Sequence, residues 1–149
     1  MKAIKGFFIL LLAWMALPGY AAAGDAIAVI VNIKNPITTI TQTDLRKIYD
    51  DLKLKWENGM PITVYDLDVN DPLREAFSQQ IFSVSSDKRA EMWAHLKITN
   101  QAKNPPMCIK NEYLIMKMIS VEEWAIGYVS LSAAKSGDVL GYKIVATIY

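Results

Sequence analysis

The segment Ala26–Asn32, reading AIAVIVN, constrains the fold more than any other stretch of the chain. An unbroken apolar, β-branched run of this length needs cover on both faces, so it reads as a buried strand with structure above and below it. Asn35-Pro36 ends the run with a turn signal. The covering layers must hold without a covalent staple. The chain has a single cysteine, Cys108, so no intramolecular disulfide is possible. Cys108 follows Pro105-Pro106-Met107 and leads into Ile109, and reads as a small buried hydrophobe.

Downstream, helical signals alternate with strand signals. Thr41 caps a first helix, with Asp44 three residues on and Leu45, Ile48 and Tyr49 along one face. Pro61–Tyr65 reads as a second strand behind the Asn58-Gly59 turn. Asp71 caps a second helix, with Pro72 at its first position. Ser85 or Ser86 caps a third, whose apolar side carries Met92, Trp93 and Leu96. Residues 98 to 110 read as a polar loop. Asn111 caps a fourth helix over about 112–119. Ala125–Val129 is a short strand, 130–138 a loop or helical turn, and 140–148 a closing strand with Tyr142, Ile144, Ala146 and Ile148 alternating. This order predicts one α/β domain with a mixed or largely parallel sheet. Its expected core is Ile27, Val29, Val31, Leu45, Ile48, Ile62, Val64, Phe77, Trp93, Ile126 and Tyr128.

Ahead of the domain, Lys2 and Lys5 precede the apolar run Phe7–Leu17, then Pro18-Gly19 and the small residues Ala21-Ala22-Ala23. This is the order of a cleavable secretory signal peptide, and the run is shorter than the ~20 residues of a spanning helix. Residues 1–23 are therefore read as a leader, with cleavage after Ala23 and with Ala22 and Asp25 as alternatives. Residues 24–149 are the working domain, periplasmic or secreted and not membrane-spanning once cleaved. No cysteine follows the apolar run, so no lipid anchor is expected there. The chain carries 16 basic and 15 acidic residues. Lys2 and Lys5 leave with the leader, so the domain lies one charge to the acidic side of neutral. That balance offers no electrostatic case for a nucleic-acid partner.

No catalytic or metal chemistry is legible. One histidine, His95, and one cysteine do not make a zinc site. No nucleophile, base and orienter stand in a readable order, so the chain reads as a non-enzyme without a cofactor. Asp66, Asp68, Asn70 and Asp71 alternate like calcium-loop ligands, but the sixth place lacks glycine and the twelfth is Phe77 rather than glutamate. Capping and a solvated turn account for them. Trp56, Trp93 and Trp124 read as core packing rather than as ligand stacking.

One succession is more specific. Asn35-Pro36, the stretch Thr41–Tyr49, Trp56, Asn58-Gly59-x-Pro61-Ile62 and Ala125-Ile126-Gly127-Tyr128-Val129 follow one another behind a leader. This order resembles the phosphate-binding proteins of ABC transporters, and it covers nearly all of the domain. The resemblance implies one lobe of a type 2 periplasmic-binding-protein-like fold, a mixed sheet flanked by helices, where such proteins have two lobes. It also implies a solute-binding role, with a small anion or other small solute as ligand and a membrane transporter or sensor as partner. In the family an Asp-Gly-Ser-Gly-Thr-like turn, often preceded by arginine, opens a helix and holds the phosphate. Here that stretch is Leu67–Leu73. Asp71 stands for the serine, Pro72 removes an N–H, Leu73 replaces the threonine and Leu67 stands near the arginine. The phosphate turn is thus degenerate, and Arg74 is the nearby cation. By fold analogy a ligand would meet Asn70, Asp71 and Arg74, with Asn32 and Asn35 at the neighbouring strand end. The alternative is a domain that has lost solute binding and serves as a protein-interaction or sensor-accessory module.

Overall fold

The computed structural model describes residues 24–149; the expected leader, residues 1–23, lies outside the described residues. Five strands and five helices follow in the order β1 (Ile27–Asn32), α1 (Gln42–Tyr49), β2 (Thr63–Leu67), α2 (Pro72–Phe82), α3 (Ser86–Ile98), β3 (Met107–Ile109), α4 (Glu112–Val121), β4 (Ala125–Ser130), α5 (Leu131–Lys135) and β5 (Tyr142–Ile148). They build a single mixed sheet in the order β3-β2-β4-β1-β5. β2 is parallel to β3 and to β4, whereas β1 is antiparallel to both β4 and β5.

The handedness of the connections places the helices. The chain crosses from β2 outward to β3 through α2 and α3, then back past β2 to β4 through α4. Two right-handed crossovers in opposite directions put their helices on opposite faces. The side chains agree. Gly127 faces α4: a Cβ there would lie 2.9 Å from Ile115 Cγ2 and 3.0 Å from Ile119 Cδ1. Its neighbour Tyr128 points the other way and stacks on Phe77 of α2, ring centroids 3.8 Å apart and planes 4° from parallel.

β1 is buried at every position, as its composition requires. Each fully buried Val or Ile there contributes roughly 1.5–3 kcal/mol relative to exposure. Every residue of the expected core is buried, but Trp93 lies outside the main cluster. α3 packs on α2 and stands off the sheet, so only Trp93 of its apolar side is buried. The closing strand also departs from simple alternation. A register shift between Val29 and Ile30 makes Val145 the buried residue of β5, with its neighbours half-buried. The stretch expected to be a wholly polar loop contains β3, a three-residue edge strand. Cys108 is exposed on it, because α3 stands off the sheet and leaves that face open.

The caps match their sequence signals. Thr41, Asp71, Ser85 and Asn111 each accept an N–H from the first turn of their helix. Trp56 is buried and its ring N–H donates to Trp124 O at 3.0 Å. Two basic residues of this region are partnered at the surface, Lys53 with Glu57 and Arg46 with Asp50.

Candidate functional site

β2 delivers the chain to the stretch where the resemblance expects an anion site. Its last residue, Leu67, is fully buried. Asp68 then folds the turn: its Oδ1 accepts Asn70 N at 3.0 Å and its carbonyl accepts Asp71 N at 2.9 Å. Asp71 Oδ1 accepts Leu73 N at 2.8 Å. Pro72 between them has no N–H to offer. The chain therefore satisfies the amides of Asn70, Asp71 and Leu73 itself, and the Asp71 carboxylate occupies the positive helix end.

The surroundings add negative charge. A groove of about 400 Å³ runs beside the turn, lined by Asp25, Asp71 and Glu112 together with Pro72, Leu73 and Ala76. No Lys or Arg stands among its described lining residues. At an effective dielectric of ~20, an anion ~4 Å from one such carboxylate is repelled by about 4 kcal/mol.

Arg74 does not offset this, because its side chain turns inward. Nη1 donates to Leu67 O at 2.9 Å, and Nε lies 3.3 Å from Asp66 Oδ2. Asp66 is buried; its Oδ1 also accepts Leu67 N and the Tyr128 hydroxyl. Burial pushes the Asp66 carboxyl above its usual range, against the pull of Arg74 and the two donors. The hydroxyls of Tyr49 and Tyr128 are pushed well up by burial first and by Asp66 second. Beside them Arg89 donates to Asp50 Oδ1 and Tyr49 O, each at 2.6 Å, and lies over the Phe82 ring.

The structure brings Asn70, Asp71 and Arg74 together in sequence and space but separates Asn32 and Asn35 from them. β1 runs against β2 and β4, so its carboxyl end pairs with Tyr142 at the start of β5, at the far edge of the sheet. Both amides serve the fold there. Asn32 Nδ2 donates to Ile119 O at 2.8 Å and to Ser120 O at 3.1 Å, closing the end of α4. Asn35 Nδ2 donates to Glu123 O, and its Oδ1 accepts Ile37 N. The oxygen-ligand reading of 66–71 loses Asp66 to the interior in the same way. Sequence reasoning missed the Asp66–Tyr128 pairing. Its signal was the strand period: Val64 faces the core, so Asp66 faces it too.

A family profile described as PBP superfamily domain matches residues 20–148. The chain belongs to the PBP superfamily. No curated protein sequence matches it. Among solved structures it is similar to PstS from Borrelia burgdorferi, with a TM-score of 0.65 and 20% identity over 82% of this chain and 47% of that one. It is similar to an ABC-type phosphate transport receptor from Vibrio cholerae, with a TM-score of 0.63 and 17% identity over 81% of this chain and 45% of that one. A putative phosphate ABC transporter substrate-binding protein with bound phosphate from Clostridium perfringens gives a TM-score of 0.58 and 19% identity over 84% of this chain and 55% of that one. At this level of identity the likeness establishes the fold. The PBP chain spans about half the length of the solved proteins it matches.

Proposed function

We propose that this PBP-superfamily chain is an exported, non-enzymatic, solute-binding-type domain with the architecture of one lobe, in which the turn that would hold phosphate is closed. The observation that carries this reading is the 2.8 Å bond from Leu73 N to Asp71 Oδ1 at the start of α2. A phosphate needs free N–H donors at a helix start, and here a carboxylate of the chain already takes that place. One lobe by itself would also leave one side of a ligand in water. The ligand class is then a small solute other than free phosphate, delivered to or sensed with a membrane partner. Calorimetric titration of the purified exported form with phosphate at low salt tests the reading. The expected Kd is no tighter than about 1 mM, or ~4 kcal/mol. Micromolar binding overturns it. Opening the turn with Asp71→Ser and Pro72→Gly should tighten phosphate binding by at least about tenfold, the worth of one charge-assisted hydrogen bond. The export part of the reading predicts an exported form that begins at Gly24 by mass measurement; a membrane-bound product with Met1 intact overturns that part.

A second reading, the protein-interaction or sensor-accessory module, is favoured by one apolar patch. Ile33, Val121 and Leu140 are 55%, 82% and 81% exposed. They meet where Ile33 N bonds Gly141 O and Gly141 packs on Ser120. A photo-crosslinker at Leu140 should capture one discrete partner in vivo, and one at the exposed Glu57 should not. Equal, diffuse capture from both positions rejects the module.

A further inference from the structure

Because α3 stands off the sheet, a cleft of about 260 Å³ opens beneath it, sharing no lining residue with the acidic groove beside the α2 turn. Asp66 and Cys108 line it from β2 and β3, Arg74 from α2, and Trp93, Ala94 and Lys97 from α3. Trp93 is 6% exposed and supplies a flat apolar wall, while Ala94 is too small to fill the space. The charges do not cancel. Asp66 and Arg74 form one pair, and Lys97 has no ion-pair partner among the described residues. Burial and the Asp68 carboxylate push the Cys108 thiol up, so it adds no charge near neutral pH. Arg74 commits Nε and Nη1 to the protein, and a guanidinium carries five N–H donors.

We propose that this cleft binds a small organic anion, with a carboxylate head held by Arg74 and Lys97 and a flat apolar body laid against Trp93. A lining with two cationic side chains, one carboxylate and an aromatic wall suits a singly charged amphipathic anion. It does not suit inorganic phosphate, which has no apolar body and carries more charge than Lys97 offsets. This inference goes beyond the reading of the α2 turn and does not depend on it.

Cys108 is exposed and sits in the lining, so it reports on occupancy. The test is the rate at which iodoacetamide alkylates Cys108 in the purified exported protein, with indole-3-acetate, phenylacetate or phosphate at up to ~10 mM, a range that covers weak affinities. Either carboxylate should slow the reaction saturably, and phosphate should leave it unchanged. Lys97 is on the surface, so its variants fold. Lys97→Gln should weaken protection about tenfold, as loss of a charge-assisted hydrogen bond does, and Lys97→Arg should restore it. The proposal is overturned if neither carboxylate protects, if phosphate protects as well as they do, or if Lys97→Gln protects like the native protein.

Discussion

Arg74 turns its guanidinium back over the strand that precedes it, and Nε stops 3.3 Å from Asp66 Oδ2. Side chains of both residues are nearly out of solvent, at 11% and 12% exposure. A pair this buried adds little net stability, because desolvation offsets the attraction, but breaking it strands a charge. Arg74→Met should therefore cost about 3–5 kcal/mol. Arg74→Met combined with Asp66→Leu should recover only part of that loss, because it removes the stranded charge but leaves the buried Tyr128 hydroxyl without its acceptor. Urea denaturation of the three proteins checks this. A single variant as stable as the native chain would show that the pair is solvated.

Asn32 should prove to be a structural residue. It is 4% exposed and holds two carbonyls at the end of α4. Asn32→Ala leaves those carbonyls without their partner at a cost of about 1–3 kcal/mol. Any solute bound by the protein should keep its affinity, as read by titration under native conditions. An unchanged melting midpoint with lost binding would return Asn32 to the site.

Gly127→Ala tests the contact between the sheet and α4. The strand conformation at 127 suits alanine, so the penalty comes from packing alone. The new Cβ would stand 2.9 Å from Ile115 Cγ2 and 3.0 Å from Ile119 Cδ1, both on fully buried side chains. Overpacking of this kind costs about 1–3 kcal/mol. Thermal melts give the measure, and a variant melting with the native protein would mean that α4 shifts freely.

Glu75 ties the start of α3 to α2 and should make stability depend on pH. Its Oε2 accepts Ser86 N at 2.8 Å and Ser86 Oγ at 2.7 Å, and its Oε1 accepts Gln79 Nε2. The Ser86 amide first, then Gln79 and the Ser86 hydroxyl, hold its carboxyl below the usual value of 4.5. A depressed folded pKa gives stability that is present above 4.5 and lost as pH falls through the folded value. Glu75→Gln should remove that part of the acid dependence. Denaturation midpoints from pH 3 to pH 7 report it, and identical slopes for the two proteins would count against the contact.

The difference between what was legible in the residues and what was not follows the range of the interactions. Capping by Thr41, Asp71, Ser85 and Asn111 acts over two or three residues, so each cap could be read from its own neighbourhood and each forms in the structure. The closure of the α2 turn by Asp71 and Pro72 is equally local. Burial of Ile27–Asn32 follows from composition, because no solvated face exists on such a run.

The direction of that run does not follow from composition. An apolar strand reads the same whether its neighbours are parallel or antiparallel, and the pairing of Val29 with Tyr128 joins residues far apart in the chain. That choice carried Asn32 and Asn35 to the opposite end of the sheet from Asp71. The inward turn of Arg74 depends on Asp66 lying beneath it, and the exposure of Cys108 depends on α3 standing off the sheet. Local sequence specifies α1 to α4, the strands other than β3, the caps, the α/β class and the blocked helix end. Which polar groups share a surface is settled by long-range strand pairing, because that pairing sets the end of the sheet at which each loop emerges.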